Sequence, residues 1–163
     1  MRVVLILLLS PVLALAQQGA KPGQAGLLTE KVLSLDMAAD IARGALEKCR
    51  ADGYRTTIAI IDAGGNLKLS VRDDGTSPHT VEVARKKAYT ALIYRRPSME
   101  TAKAWATQVP PPSIEGTIAL GGGLPIRAGD QVVGSIGVSG APGQDKDEAC
   151  ANAGLAVVAA RLK

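Results

Sequence analysis

The sequence predicts an α+β domain built on a largely antiparallel sheet. Three observations carry that reading. Amphipathic helical spacing brackets the chain at 35–52 and 146–161. Between these lie short runs rich in β-branched residues, joined in pairs by tight glycine turns, as antiparallel neighbours are. The length, 163 residues, is that of one domain, and 47% hydrophobic with 21% charged residues is ordinary globular usage. The expected order is α-β-β-α-(α)-β-β-β-α.

Residues 35–52 place Ala38, Ile41, Ala42, Ala45 and Cys49 on one helical stripe. Ser34 or Asp36 can cap its start, and Gly53 ends it. Residues 56–62 (TTIAIID) read as a strand, 63–66 (AGGN) as a turn, and 67–72 (LKLSVR) as a half-buried strand that alternates apolar and polar. The two strands form a hairpin. After the loop 73–78, residues 79–94 repeat Val83, Ala84, Ala88, Ala91 and Leu92 at helical spacing, and Pro97 breaks the chain. A short helix over 98–107, capped by Ser98, precedes an extended linker at Pro110, Pro111 and Pro112. Residues 117–120 (TIAL) and 124–127 (LPIR) read as strands on either side of three glycines. Residues 131–138 form the last strand, where Gly134 and Gly137 mark a bulge or a close backbone approach. Asp145, Asp147 and Glu148 open the final helix, where its dipole favours negative charge.

The first sixteen residues read as a signal peptide. Arg2 precedes an apolar run from Val3 to Leu9, and Ala14-x-Ala16 offers the small residues of a cleavage site. The run is short for a membrane anchor and Pro11 interrupts it, so no stable span is expected after cleavage. The expected location is the periplasm or the extracellular medium. Residues 17–28 read as a flexible leader with little to bury, and 29–163 as the domain.

Composition narrows the function. With one Trp, three Tyr and no Phe, the chain lacks the aromatic platforms that stack bases, so nucleic acid is not an expected partner. A single His excludes a multi-histidine metal site within one chain. Cys49 and Cys150 can form a disulfide in an oxidising compartment or remain buried thiols. His79 can ligate a haem iron, act as a base, or sit exposed at a helix start. Arg85, Lys86 and Lys87 read as the solvated face of a helix. Gly121, Gly122 and Gly123 reverse the chain or bring backbone N–H groups to a ligand, although no phosphate-loop Lys-Ser/Thr follows them. Asp62 reads as a turn residue.

Taken in order, the segments AIIDAGGNL (59–67), ARKKAYTA (84–91), GGGLPI (121–126), VGSIGVSG (133–140) and Asp147-Glu148-Ala149 resemble the GlcG/HbpS-like family. This is the haem-binding or haem-degrading domain, related to the C-terminal domain of PduO-type proteins. The resemblance spans roughly residues 30–160. It implies a profilin-like, three-layer α/β/α fold with a five-stranded mainly antiparallel sheet. It sets the first and last helices on one face, which favours a Cys49–Cys150 bond. It implies a protein, often a homo-oligomer, that binds a small ligand such as haem or another tetrapyrrole; with the signal peptide, the expected function is that of an exported ligand-binding protein. An enzyme acting on a small organic acid or degrading haem, and a non-catalytic assembly module, are the alternatives; Lys87, His79 or Asp62 would supply acid–base groups to the enzyme. His79 becomes the candidate iron ligand, with Tyr89, Tyr94 and Met99 as alternatives. Arg85 or Lys87 would pair with propionates, and the Gly121, Gly122, Gly123 and Pro125 turn would share the cleft.

Overall fold

Helices cover both faces of a four-stranded antiparallel sheet in the computed structural model, which describes residues 29–109, 112 and 114–163. The expected signal peptide, the leader and two of the three linker prolines lie outside the described residues. Strands β1 (Thr57–Asp62), β2 (Leu67–Arg72), β3 (Gly123–Ala128) and β4 (Gln131–Ser139) are arranged β2-β1-β4-β3. Helices α1 (Leu35–Ala51) and α4 (Gln144–Val158) pack together on one face. Helix α2 (Thr80–Tyr94) covers the other, with α3 (Ser98–Trp105) against it.

The two faces are built differently because strand residues alternate between them. Toward α1 and α4 the sheet presents Ile58, Ile60, Leu124, Ile126, Ile136 and Val138, which meet Ile41, Ala45 and Val158. Burying each large side chain of this kind stabilises the fold by about 1.5–3 kcal/mol. Cys49 and Cys150 are bonded here, with Cα atoms 5.5 Å apart. Toward α2 the sheet carries mostly small groups, among them Thr57 and Ser135, with Ile61 the large exception. Ala59, Gly137 and Gly123 form one row across three strands. A Cβ on Gly137 would meet the Ala84 carbonyl, and one on Gly123 the Lys87 carbonyl. The missing side chains let α2 lie directly on the strands.

The expected fifth strand at 117–120 does not form. Its β-branched residues suit a strand, but its backbone is satisfied elsewhere. The Ile118 N–H donates to Thr90 Oγ1 at 2.9 Å, and the one proton of that hydroxyl is shared between the Lys86 carbonyl at 2.9 Å and the Ile118 carbonyl at 3.2 Å. A side chain of α2 thus replaces a ladder partner. Ser98 is also reassigned. It is the first residue of α3 rather than its cap, and its hydroxyl accepts the Gly123 N–H at 2.8 Å. Ser34, by contrast, caps α1 by accepting from the Met37 N–H.

Candidate functional site

A cleft of about 790 Å³ opens where three chain segments meet at one end of the sheet. The α1–β1 connection supplies Gly53, Tyr54 and Arg55. The turn entering α2 supplies Thr76, His79 and Val83, while Leu120 and the β4–α4 connection close the far side. His79 precedes the first turn of α2 and is exposed at the cleft, with no side-chain cap bond. Tyr54, Val83, Leu120 and Pro142 give the cleft apolar surfaces.

Lys87 and Asp147 form its floor. The Lys87 ammonium donates to Asp147 Oδ2 at 2.7 Å and to the Val138 carbonyl at 3.0 Å. The two side chains are only 3% and 5% exposed, so this is a buried ion pair rather than a surface one. Asp147 Oδ1 also accepts the Ala141 N–H at 3.0 Å, which pins the β4–α4 connection. Burial pushes the Asp147 carboxyl above its ordinary range, against the pull of Lys87. Gly122 has φ +109, and a Cβ there would meet Asp147, the Val138 carbonyl and the Lys87 ammonium. That position needs glycine twice over, for its backbone angle and for the space.

The structure divides the residues singled out from the sequence. His79 and Lys87 line one cleft. Lys87 is not part of a solvated face, because its ammonium is turned inward to Asp147. Nor does Asp147 serve only the dipole of α4. Arg85 lies outside the cleft, forked onto Glu82 at 2.9 and 3.1 Å. Tyr89 lies apart from it too, packed against Gly65 and Gly116. Tyr94 stacks edge-on with Trp105, and Met99 packs on Gly121. Gly121, Gly122 and Gly123 lie behind the floor, and Pro125 sits within β3 opposite Ser135. Asp62 holds a turn by accepting the Asn66 N–H at 2.9 Å.

Two residues of the site go beyond what the sequence predicts: Asp147, expected only as a helix-start charge within a family motif, and Arg55, to which no role is given. For Asp147, a signal was present. Lys87 falls on the buried stripe Thr80, Ala84, Lys87, Ala91, and a lysine on such a stripe needs a buried anion. For Arg55, nothing in the local pattern distinguishes it from other surface arginines.

Comparison with known proteins fits this geometry. Residues 33–156 match the family model described as "Haem degrading protein HbpS-like". The chain belongs to the HbpS-like family. GlcG of Escherichia coli K12 is 32% identical over 115 residues, covering 68% of this chain and 84% of that protein. HbpS of Streptomyces reticuli, solved as a double mutant, superposes with a TM-score of 0.78 at 38% identity, over 85% of this chain and 97% of that one. The PduOC:heme complex shares the fold, with a TM-score of 0.69 at 22% identity over 78% of this chain and 95% of that one.

Proposed function

We propose that this HbpS-like chain is an exported protein that binds haem or a related tetrapyrrole in the cleft at His79. The observation that carries the reading is the placement of the chain's sole imidazole at a cleft of about 790 Å³. The cleft fits such a group. Its size is within the range of small-molecule sites, its sides are apolar, and one ring nitrogen is available without a competing bond. The haem-degrading description of the family supports the same ligand class. Bound haem would supply the iron chemistry. The protein's own share is narrower. A ring nitrogen of His79 would hold the metal, the apolar residues would shield the ring from water, and the Lys87–Asp147 pair holds the floor fixed. Export rests on the apolar run at 3–9 and the Ala14-x-Ala16 site. A homo-oligomer belongs to the same proposal, since Leu67, Val81 and Ile93 leave apolar surface exposed.

Haemin titration into residues 17–163, beside His79→Ala, tests the reading. A saturable Soret shift that the variant weakens at least tenfold is the expected result. A shift unchanged in His79→Ala moves the iron to another residue, and no saturable shift overturns the haem reading. Bleaching of the band with time would favour haem degradation over carriage. Gln17 as the first residue of the exported protein would establish the cleavage.

A further inference from the structure

We infer that Arg55 binds a carboxylate of the ligand, so that the cleft selects carboxylate-bearing molecules. The inference rests on the ligand-binding reading of the cleft and adds the group that determines its specificity.

The argument is one of available charge. Seven basic side chains lie in or near this end of the molecule; one, Arg72 at the end of β2, is exposed and has no ion pair among the described residues but does not line the cleft. Arg85 and Lys86 are paired with Glu82 on the outer face of α2. The Lys87 ammonium is buried against Asp147 and the Val138 carbonyl. Arg50 is forked onto Asp73 at 2.7 and 3.0 Å, and Lys146 stands 3.4 Å from Asp145. Arg55 differs from all of these. Its Nη1 donates to the Asp74 carbonyl at 3.1 Å, and among the described residues no carboxylate lies within ion-pair distance. A guanidinium carries five N–H donors, so most of them remain unspent.

Position and orientation agree with that role. Arg55 and His79 line the same cleft, from opposite ends of the Asp73–Pro78 loop. Gly75 has φ +74, and a Cβ there would sit 3.6 Å from Arg55 Cδ, so the stem of this exposed arginine runs along the glycine; the residue also borders a smaller recess with Asp73 and Asp74. The Asp74 carbonyl fixes one edge of the guanidinium. The planar fork matches a carboxylate in two-point geometry, which an ammonium cannot do. Two sources share this chemistry: the propionates of a tetrapyrrole and a free small carboxylic acid.

Soret titrations of haemin and of its dimethyl ester, into the mature protein and into Arg55→Ala and Arg55→Lys, test the inference. The expected result is that Arg55→Ala weakens haemin about tenfold or more, as loss of a charge-assisted pair does, and leaves the diester unchanged. Arg55→Lys should restore part of the loss. His79→Ala, by contrast, should weaken both ligands equally, and far-UV dichroism confirms that each variant is folded. Equal weakening of both ligands by Arg55→Ala, or of neither, overturns the assignment. Succinate, read by thermal shift, separates the two sources. Arg55-dependent protection by succinate with no haemin binding would overturn the tetrapyrrole reading and keep Arg55 as a carboxylate site. Failure of both ligands overturns both.

Discussion

Lys87 Nζ lies 2.7 Å from Asp147 Oδ2, and this contact ties α2 to α4 from opposite faces of the sheet. Both charges are out of water, so each depends on the other. Replacing Lys87 with Met should cost about 3–5 kcal/mol, because it leaves a buried carboxylate unpaired. Lys87→Met with Asp147→Leu should recover most of that loss, since the charge to be desolvated is gone. Urea unfolding of the parent and the two variants measures it. A loss under about 1 kcal/mol for Lys87→Met would show that water reaches Asp147.

Gly137 should tolerate no side chain. It stands in register with Ala59 and Gly123 in the row on which α2 rests. An added methyl would collide with the Ala84 carbonyl, which is helix backbone and has nowhere to go. Gly137→Ala should therefore cost about 3 kcal/mol or more, at or beyond the upper end for overpacking. Thermal unfolding checks this, and a melting point within a degree or two of the parent would mean that α2 can lift off the sheet.

The disulfide should matter most through the unfolded chain. Cys49 and Cys150 are 101 residues apart, and closing a loop of that size stabilises by about 4–5 kcal/mol on chain entropy. Both sulfurs are fully buried between α1 and α4. Cys49→Ala with Cys150→Ala should lower the melting point strongly. It should also weaken ligand binding, because Gly53–Arg55 follow Cys49 by one turn and Asp147 precedes Cys150 by the same span. Calorimetry and a haemin titration on the double variant read the two effects separately.

Periodicity made the helices and the first hairpin legible, because each buries one face against a sheet. The segment 117–120 was misread for a local reason. Thr117 and Ile118 carry strand propensity, yet the hydroxyl of Thr90, some thirty residues away, occupies the backbone groups a ladder would use. The site was harder to read for the same kind of reason. Lys87 follows Arg85 and Lys86 in sequence but points to a carboxylate 60 residues further on. His79 stood out because it is unique. Arg55 is set apart by its place at the cleft, which no linear pattern records.

Asp73 should dominate the acid limb of stability. Its hydrogen bonds from Arg50 hold the carboxyl below the usual carboxylate range. The unfolded chain, with an ordinary value near about 3.9, takes up the proton first as pH falls. Stability from this pair is therefore complete above the ordinary carboxyl range and is lost as pH drops through it to the lowered native value. Glu82 is lowered in the same direction by Arg85, but that pair is open to solvent and contributes less. Asp73, by contrast, is 5% exposed and also receives the Asp74 N–H at 2.9 Å. Melting curves between about pH 3 and pH 6 should show a shallower acid slope for Asp73→Asn than for the parent. Glu82→Gln should leave the slope nearly unchanged. Equal slopes for Asp73→Asn and the parent would mean that Arg50 and Asp73 remain paired in the unfolded chain or are not paired in the folded one.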